Sequence, residues 1–171
     1  MSDNDRVLTP DQRQLCKGKA MESLVAATCI LPSDGELNVA APLIDDGGVD
    51  LIFFRQEGQA ALSVQVKARF ADARVVDRDN KVQVNFTDTT FRPRRDFFLL
   101  ILVVDPHTAD IKQAWLVPSV EFAANRSERA GLRFSVSIDG TENQWAEFRV
   151  SKDELASRIL GEIDRLEKSA G

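Results

Sequence analysis

A chain of 171 residues, 43% apolar and 29% charged, has the length and balance of one globular domain with one core. Its net charge of −5 excludes a generic cationic nucleic-acid binder, although an acidic protein can still carry one basic face. The longest apolar run, Phe97 to Val104, is too short to span a bilayer, and the acidic start Met1-Ser2-Asp3-Asn4-Asp5 does not read as a signal peptide. A cytoplasmic location with no membrane partner is expected.

Residues 1–9 read as disordered. A helix is predicted from Pro10 or Asp11 to about Cys29, with Leu15, Gly18, Met21, Glu22, Val25 and Cys29 on one face. Glu22 thus sits inside an apolar stripe, where a carboxylate needs a partner. Cys16 and Cys29 lie 13 residues apart on this helix, about 20 Å, so they cannot pair within it. Pro32-Ser33-Asp34-Gly35 is a turn, followed by strand-like segments at 37–44, 49–55 and 60–68. Asp45 and Asp46 read as turn residues, and Gln56-Glu57-Gly58-Gln59 as a hairpin loop whose glycine supplies positive φ.

The 71–81 stretch is polar and loop-like, Val82 to Phe86 could form a short strand, and Phe91 to Arg95 carries a basic cluster. Phe97 to Val104 reads as a central strand buried on both faces, with Ile111 to Val117 as its antiparallel partner. The turn between them holds the only histidine, His107, which excludes a multi-histidine zinc site and weakens any Ser-His-Asp reading. Ser119 is placed as the N-cap of a short helix through about Asn125. Leu132 to Ile138 alternates as a half-buried strand does, with Trp145 to Val150 as its hairpin mate across Asp139-Gly140. Ser151 and Glu154 form a capping box for a last helix with Leu155, Ile159, Ile163 and Leu166 on one stripe. That helix is expected to cover apolar surface away from the first.

Chemistry concentrates on two strands. A hairpin centred at residues 57–58 sets Asp50 opposite residue 65, so Asp50 meets the Gln65-Val66-Lys67 end of the next strand. The Asp50 carboxylate, the Gln65 side-chain carbonyl and the Val66 backbone carbonyl are oxygen donors of the kind Mg²⁺ takes, and Glu22 could reach the same ion. Lys67 would place a positive charge beside the water to be activated and beside charge building on a phosphate. Gly47-Gly48 removes side chains where backbone comes close. Separate structural roles for these residues remain the competing explanation. Arg69, Arg92, Arg94 and Arg95 are candidate phosphate contacts, against the commoner explanation of a charged surface loop.

Across roughly residues 11–104, the helix with Glu22, the Gly48-Val49-Asp50 strand, the Gln65-Val66-Lys67 strand and the apolar 97–104 strand resemble the PD-(D/E)XK nuclease superfamily. The Gln-x-Lys form is most similar to Mrr-type restriction endonucleases and related prokaryotic domains. The resemblance implies an α/β restriction-endonuclease-like fold, a mixed central β-sheet flanked by helices, here with a C-terminal β-hairpin and helix. One domain is expected over 10–171, with a core at 11–118 and an extension at 119–171. The resemblance also implies Glu22, Asp50, Gln65 and Lys67 as catalytic residues, Mg²⁺ or Mn²⁺ as cofactor held by Glu22, Asp50, Gln65 and Val66, and DNA as partner. Homodimerisation is left open. Two departures from the family are the lack of a clear helix between 69 and 96 and the missing charge at Gln65. The expected function is a metal-dependent DNA endonuclease of defence or repair. The alternative is a catalytically inactive nucleic-acid-binding or protein-interaction domain.

Overall fold

The computed structural model describes residues 9–43, 47–86, 91–125, 132–139 and 143–170. The expected disordered N-terminus, apart from Thr9, and the Asp45-Asp46 turn lie outside them. Helix α1 (Pro10–Ile30) opens on Thr9, whose hydroxyl accepts from the Gln12 N–H at 3.2 Å, while the Gln12 side chain accepts from the Thr9 N–H at 2.9 Å. Pro10 follows at the position where a missing N–H costs nothing. Val25 and Cys29 are buried as the periodicity predicts, but Leu15 is 66% exposed. The apolar stripe therefore packs only in the second half of the helix.

Six strands form the main sheet in the order β1-β2-β3-β5-β6-β8, from β1 (Leu37–Ala40), β2 (Leu51–Arg55), β3 (Ala61–Phe70), β5 (Phe97–Val104), β6 (Ile111–Pro118) and β8 (Arg149–Val150). The sheet is mixed: β3 and β5 run parallel, and every other neighbouring pair runs antiparallel. The mixed α/β class and the central mixed sheet flanked by helices agree with expectation. All eight residues of β5 are buried, because both of its faces are covered.

On one face, α1 packs beside α4 (Leu155–Ala170) through Val25, Cys29, Leu155, Ile159 and Ile163 over Leu62, Val64, Leu100 and Leu102. The last helix thus lies next to the first and not on separate surface. The capping box forms, with the Ser151 N–H donating to Glu154 Oε2 at 3.3 Å and the Glu154 N–H donating to Ser151 Oγ at 3.3 Å. Gly58 does not supply positive φ. A Cβ there would lie 2.6 Å from Glu167 Oε1 of α4, so the glycine admits that helix against the hairpin.

The other face is covered by an antiparallel ribbon of β4 (Lys81–Asn85) and β7 (Arg133–Ser137). This corrects the predicted C-terminal hairpin. β7 pairs with β4, and the short β8 joins the main sheet beside β6. Val82, Val84, Phe134 and Val136 alternate inward, and each strand buries its apolar side only when the ribbon lies over Leu99, Ile101, Val103 and Trp115. The ribbon also draws β4 from the 69–96 stretch, where no clear helix is expected from the sequence. The crossover between parallel β3 and β5 holds one helical turn, α2 (Arg74–Asp77), and then β4. The last helix to be placed is α3 (Ser119–Ala124). Ser119 does not cap it; its hydroxyl bonds both the N–H and the carbonyl of Arg94 at 2.9 Å, fastening α3 to the irregular segment before β5.

Phe134→Ala should cost about 3–5 kcal/mol in urea denaturation, the scale for deleting a buried ring, because the ribbon is core and not trim. Burial pushes the Cys29 thiol up to about 12. Cys16 alone should react with a thiol reagent at pH 8 in the native protein, and both cysteines should react in denaturant. Above about pH 9 an unfolded thiol ionises while the folded one stays protonated. This site should therefore lower stability as pH rises, by up to about 1.4 kcal/mol per pH unit.

Candidate metal and phosphate site

Strand β3 has ten residues and its neighbour β2 five, and their pairing stops at Leu51 opposite Val64. Beyond Val64, β3 continues to pair with β5 on one side only. Its other edge would present bare N–H and C=O groups. Asp50 turns in just before β2 begins. Its N–H donates to the Val64 carbonyl at 2.9 Å, and its Oδ2 accepts the Val66 N–H at 2.7 Å. A strand residue sends its N–H and C=O out of the same edge, so the Val66 carbonyl also leaves on the Asp50 side.

This open edge borders a cavity of about 300 Å³ that Glu22, Asp50, Val66, Lys67 and Arg69 line, with Phe70 beside them. The first wall comes from α1, which crosses the edge and brings Gln14, Lys17, Gly18, Met21 and Glu22 to it. By strand alternation Val66 faces the helices and Lys67 the ribbon. Both line the cavity because it wraps the edge of the strand. Glu22 is 14% exposed and pairs with Lys19 at 2.8 Å. Its partner is thus its own helix neighbour and not a buried cation. Lys67 is half-buried.

Gln65 does not line the cavity. Its amide lies against Gly48, where an added Cβ would sit 2.9 Å from Nε2, and Gly48 has φ of +68°. Gly48 is needed on both counts, whereas Gly47 has open space around it. Arg69 reaches toward the ribbon, its Nε donating to the Gln83 carbonyl at 2.8 Å, and burial lowers its pKa. The other three arginines are elsewhere. Ser63 pairs with Phe97 at the far end of β3, and Arg94 there donates to Ser63 Oγ at 3.3 Å and pairs with Asp96 at 3.1 Å. Four strand residues, about 13 Å, separate that end from Lys67. Arg92 and Arg95 flank Arg94 on exposed chain. The structure therefore brings Glu22, Asp50, Val66, Lys67 and Arg69 together, and not Gln65, Arg92, Arg94 or Arg95.

The donor set fits a hard divalent cation. Mg²⁺ binds through one or two carboxylates and keeps several waters, and two carboxylates and an edge carbonyl border this cavity. Among the described residues no group of three or more His, Cys, Asp or Glu side chains gathers to hold a metal. The residues that sequence reasoning missed are Gln14 and Lys17. Gln14 lies on the helix face of Gly18, Met21 and Glu22, so that signal was present, whereas the helical wheel puts Lys17 outside that stripe and the cavity reaches round the helix to it. A larger open cavity, about 1040 Å³, lies at the hairpin end of the sheet between Arg55, Gly58 and Glu167. Its carboxylates include Glu36, which pairs with Arg55, and Glu167, which accepts the Gln59 N–H.

No protein-family model matches the chain, and no curated protein does. Among solved structures it is similar to a bacterial homing endonuclease, I-Ssp6803I, at 15% identity and a TM-score of 0.49, over 86% of this chain and 95% of that one. Among the described residues no helix is long and apolar enough to cross a membrane.

Gly48→Ala should destabilise by about 1–2 kcal/mol from the left-handed backbone alone, and more because the Gln65 amide must move. Gly47→Ala should stay within about 0.5 kcal/mol of wild type. Urea denaturation of the two variants checks the contrast.

Proposed function

We propose that the protein is a divalent-metal-dependent endonuclease of the PD-(D/E)XK kind that hydrolyses phosphodiester bonds in DNA in the cytoplasm. The observation that carries this reading is the meeting of Glu22, Asp50, Val66 and Lys67 on one cavity at the open edge of β3. Asp50 and Glu22, with the Val66 carbonyl, would hold Mg²⁺ or Mn²⁺, which supplies an acidified water and neutralises phosphate charge. Asp50 is fixed by its bond to the Val66 N–H, so one carboxylate is oriented before any ligand arrives. Lys67 would orient the attacking water and stabilise charge developing on the phosphate. Gln65 takes a positioning role against Gly48 in place of the ligand role expected for it.

A second reading has its own support. Gln65 is turned to Gly48, and among the described residues two carboxylates, Glu22 and Asp50, border the cavity. A site so composed suits a domain that binds nucleic acid without cutting it.

The test combines calorimetric titration with Mn²⁺ and cleavage assays on plasmid, single-stranded DNA and RNA. Asp50→Ala should abolish Mn²⁺ binding. Lys67→Ala should keep Mn²⁺ binding and lose cleavage by about 10²-fold or more, the scale for removing one charge-stabilising group. Gln65→Glu should leave Mn²⁺ affinity within about twofold, because the side chain packs against Gly48 and does not line the cavity. No cleavage by wild type on any substrate, with unchanged Mn²⁺ affinity in Asp50→Ala, would favour the binding-only reading.

A further inference from the structure

Residues Pro10–Ala20 of α1 are exposed on every face, while Val25 and Cys29 farther along the same helix are buried. These three turns, about 16 Å, project beyond the sheet. Their helical state is supported locally by the Thr9–Gln12 capping box. The projecting part carries Arg13, Lys17 and Lys19 against one acid, Asp11, in a chain of net charge −5. Its Gln14, Lys17 and Gly18 face the cavity of Asp50 and Lys67. A Cβ on Gly18 would meet nothing within 4 Å, so this face leaves room beside the cavity mouth. The Lys17 ammonium sits 5.0 Å from the centre of the Phe70 ring on the facing strand, which holds the exposed charge at the cavity.

We propose that this half-helix is an arm that grips the phosphodiester backbone of duplex DNA beside the cavity, with Lys17 and Gln14 as its contact residues. The proposal rests on the nuclease reading and adds to it the surface that holds the substrate. Charge complementarity selects the occupant. Among the described residues Lys17, Lys67 and Arg69 are the cations that line the cavity, and a bound divalent ion would cancel the charge of Glu22 and Asp50, leaving a positive trough along the arm. At about 3.4 Å per base pair the arm runs beside about five pairs, the reach of a backbone-tracking contact. Lysine and a glutamine amide both donate to phosphate oxygens without reading bases.

The experiment measures duplex binding by fluorescence anisotropy with Ca²⁺ in place of Mg²⁺, a hard divalent ion that takes the same oxygen donors, over times too short for cleavage and over a range of salt. Wild type should bind with a log–log salt slope that Lys17→Ala reduces by about 0.9, the value for one phosphate contact, with about eightfold weaker binding at 0.1 M salt. Gln14→Ala should weaken binding without changing the slope, and Lys17→Arg should restore it. Arg92→Ala/Arg95→Ala, at the far end of β3, should leave the slope unchanged. Circular dichroism of each variant should match wild type; if Lys17→Ala loses helix, Lys17→Glu/Gln14→Glu compared with Lys17→Gln supplies the charge contrast. Binding by wild type that Lys17→Ala leaves unchanged in affinity and slope overturns the arm and spares the nuclease reading. Absence of nucleic-acid binding by wild type overturns both. A dimer in sedimentation that Lys17→Ala dissociates, with the DNA slope unchanged, would assign the arm to a second copy of the chain and overturn the proposal.

Discussion

The candidate site depends on a mismatch in strand length. Because β3 runs several residues past its last pairing with β2, the sheet has a half-open edge at Val66. Open edges invite pairing by another strand, and proteins usually blunt or cover them. Here one carboxylate does the blunting. Asp50 bonds the Val66 N–H at 2.7 Å, taking the place of a strand neighbour with a side chain. A hydrogen bond to a charged acceptor is stronger than its neutral equivalent, so the end of β2 and the middle of β3 are joined firmly where the regular ladder stops. The same bond leaves the carboxylate at the rim of a cavity.

The surroundings keep that edge in place without filling it. β3 is anchored on its other side by eight parallel pairs to β5, and β5 is buried on both faces. The helices α1 and α4 press on one face, and the β4–β7 ribbon presses on the other. Arg55 bonds Asp164 through two nitrogens, at 3.1 and 2.9 Å, and so ties β2 to α4 at the hairpin end. The β2 side of the sheet therefore ends where the cavity begins, while β5 keeps β3 paired through it, and polar groups there can be held in position by elements that do not themselves touch a ligand.

Sequence patterns revealed most of the frame, and the exceptions have physical causes. The pairing of Asp50 opposite residue 65 follows from hairpin arithmetic, and the observed register, Leu51 with Val64, continues to that pair. The double burial of β5 follows from eight apolar residues without a break. The partners of β7 did not follow, because a strand that alternates every second residue states which side is buried but not which strand lies beside it. Asp139-Gly140 looked like a turn to Trp145, whereas the favourable partner was β4, far back in the chain. The stripe on α1 misled in the other direction. Leu15 continues the apolar periodicity yet projects from the protein, since periodicity cannot tell where the sheet beneath a helix ends. Glu22 was legible as an anomaly, but its observed partner, Lys19, is a helix neighbour that spacing alone could have named.

Gln65 shows how a motif can be readable while the geometry behind it is not. Strand alternation puts Gln65 and Lys67 on one face, and from spacing both seem to serve one ion. The glycine at 48 changes the outcome. Its left-handed backbone carries the chain so close to β3 that the Gln65 amide packs against it, with no room for a Cβ. An amide suits that place better than a carboxylate, because it can be half-buried against backbone without the cost of desolvating a charge. On this view the glutamine is the residue that fits the Gly48 turn, and the turn in turn aims Asp50 at Val66. The missing charge at residue 65 is then a consequence of how Asp50 is positioned.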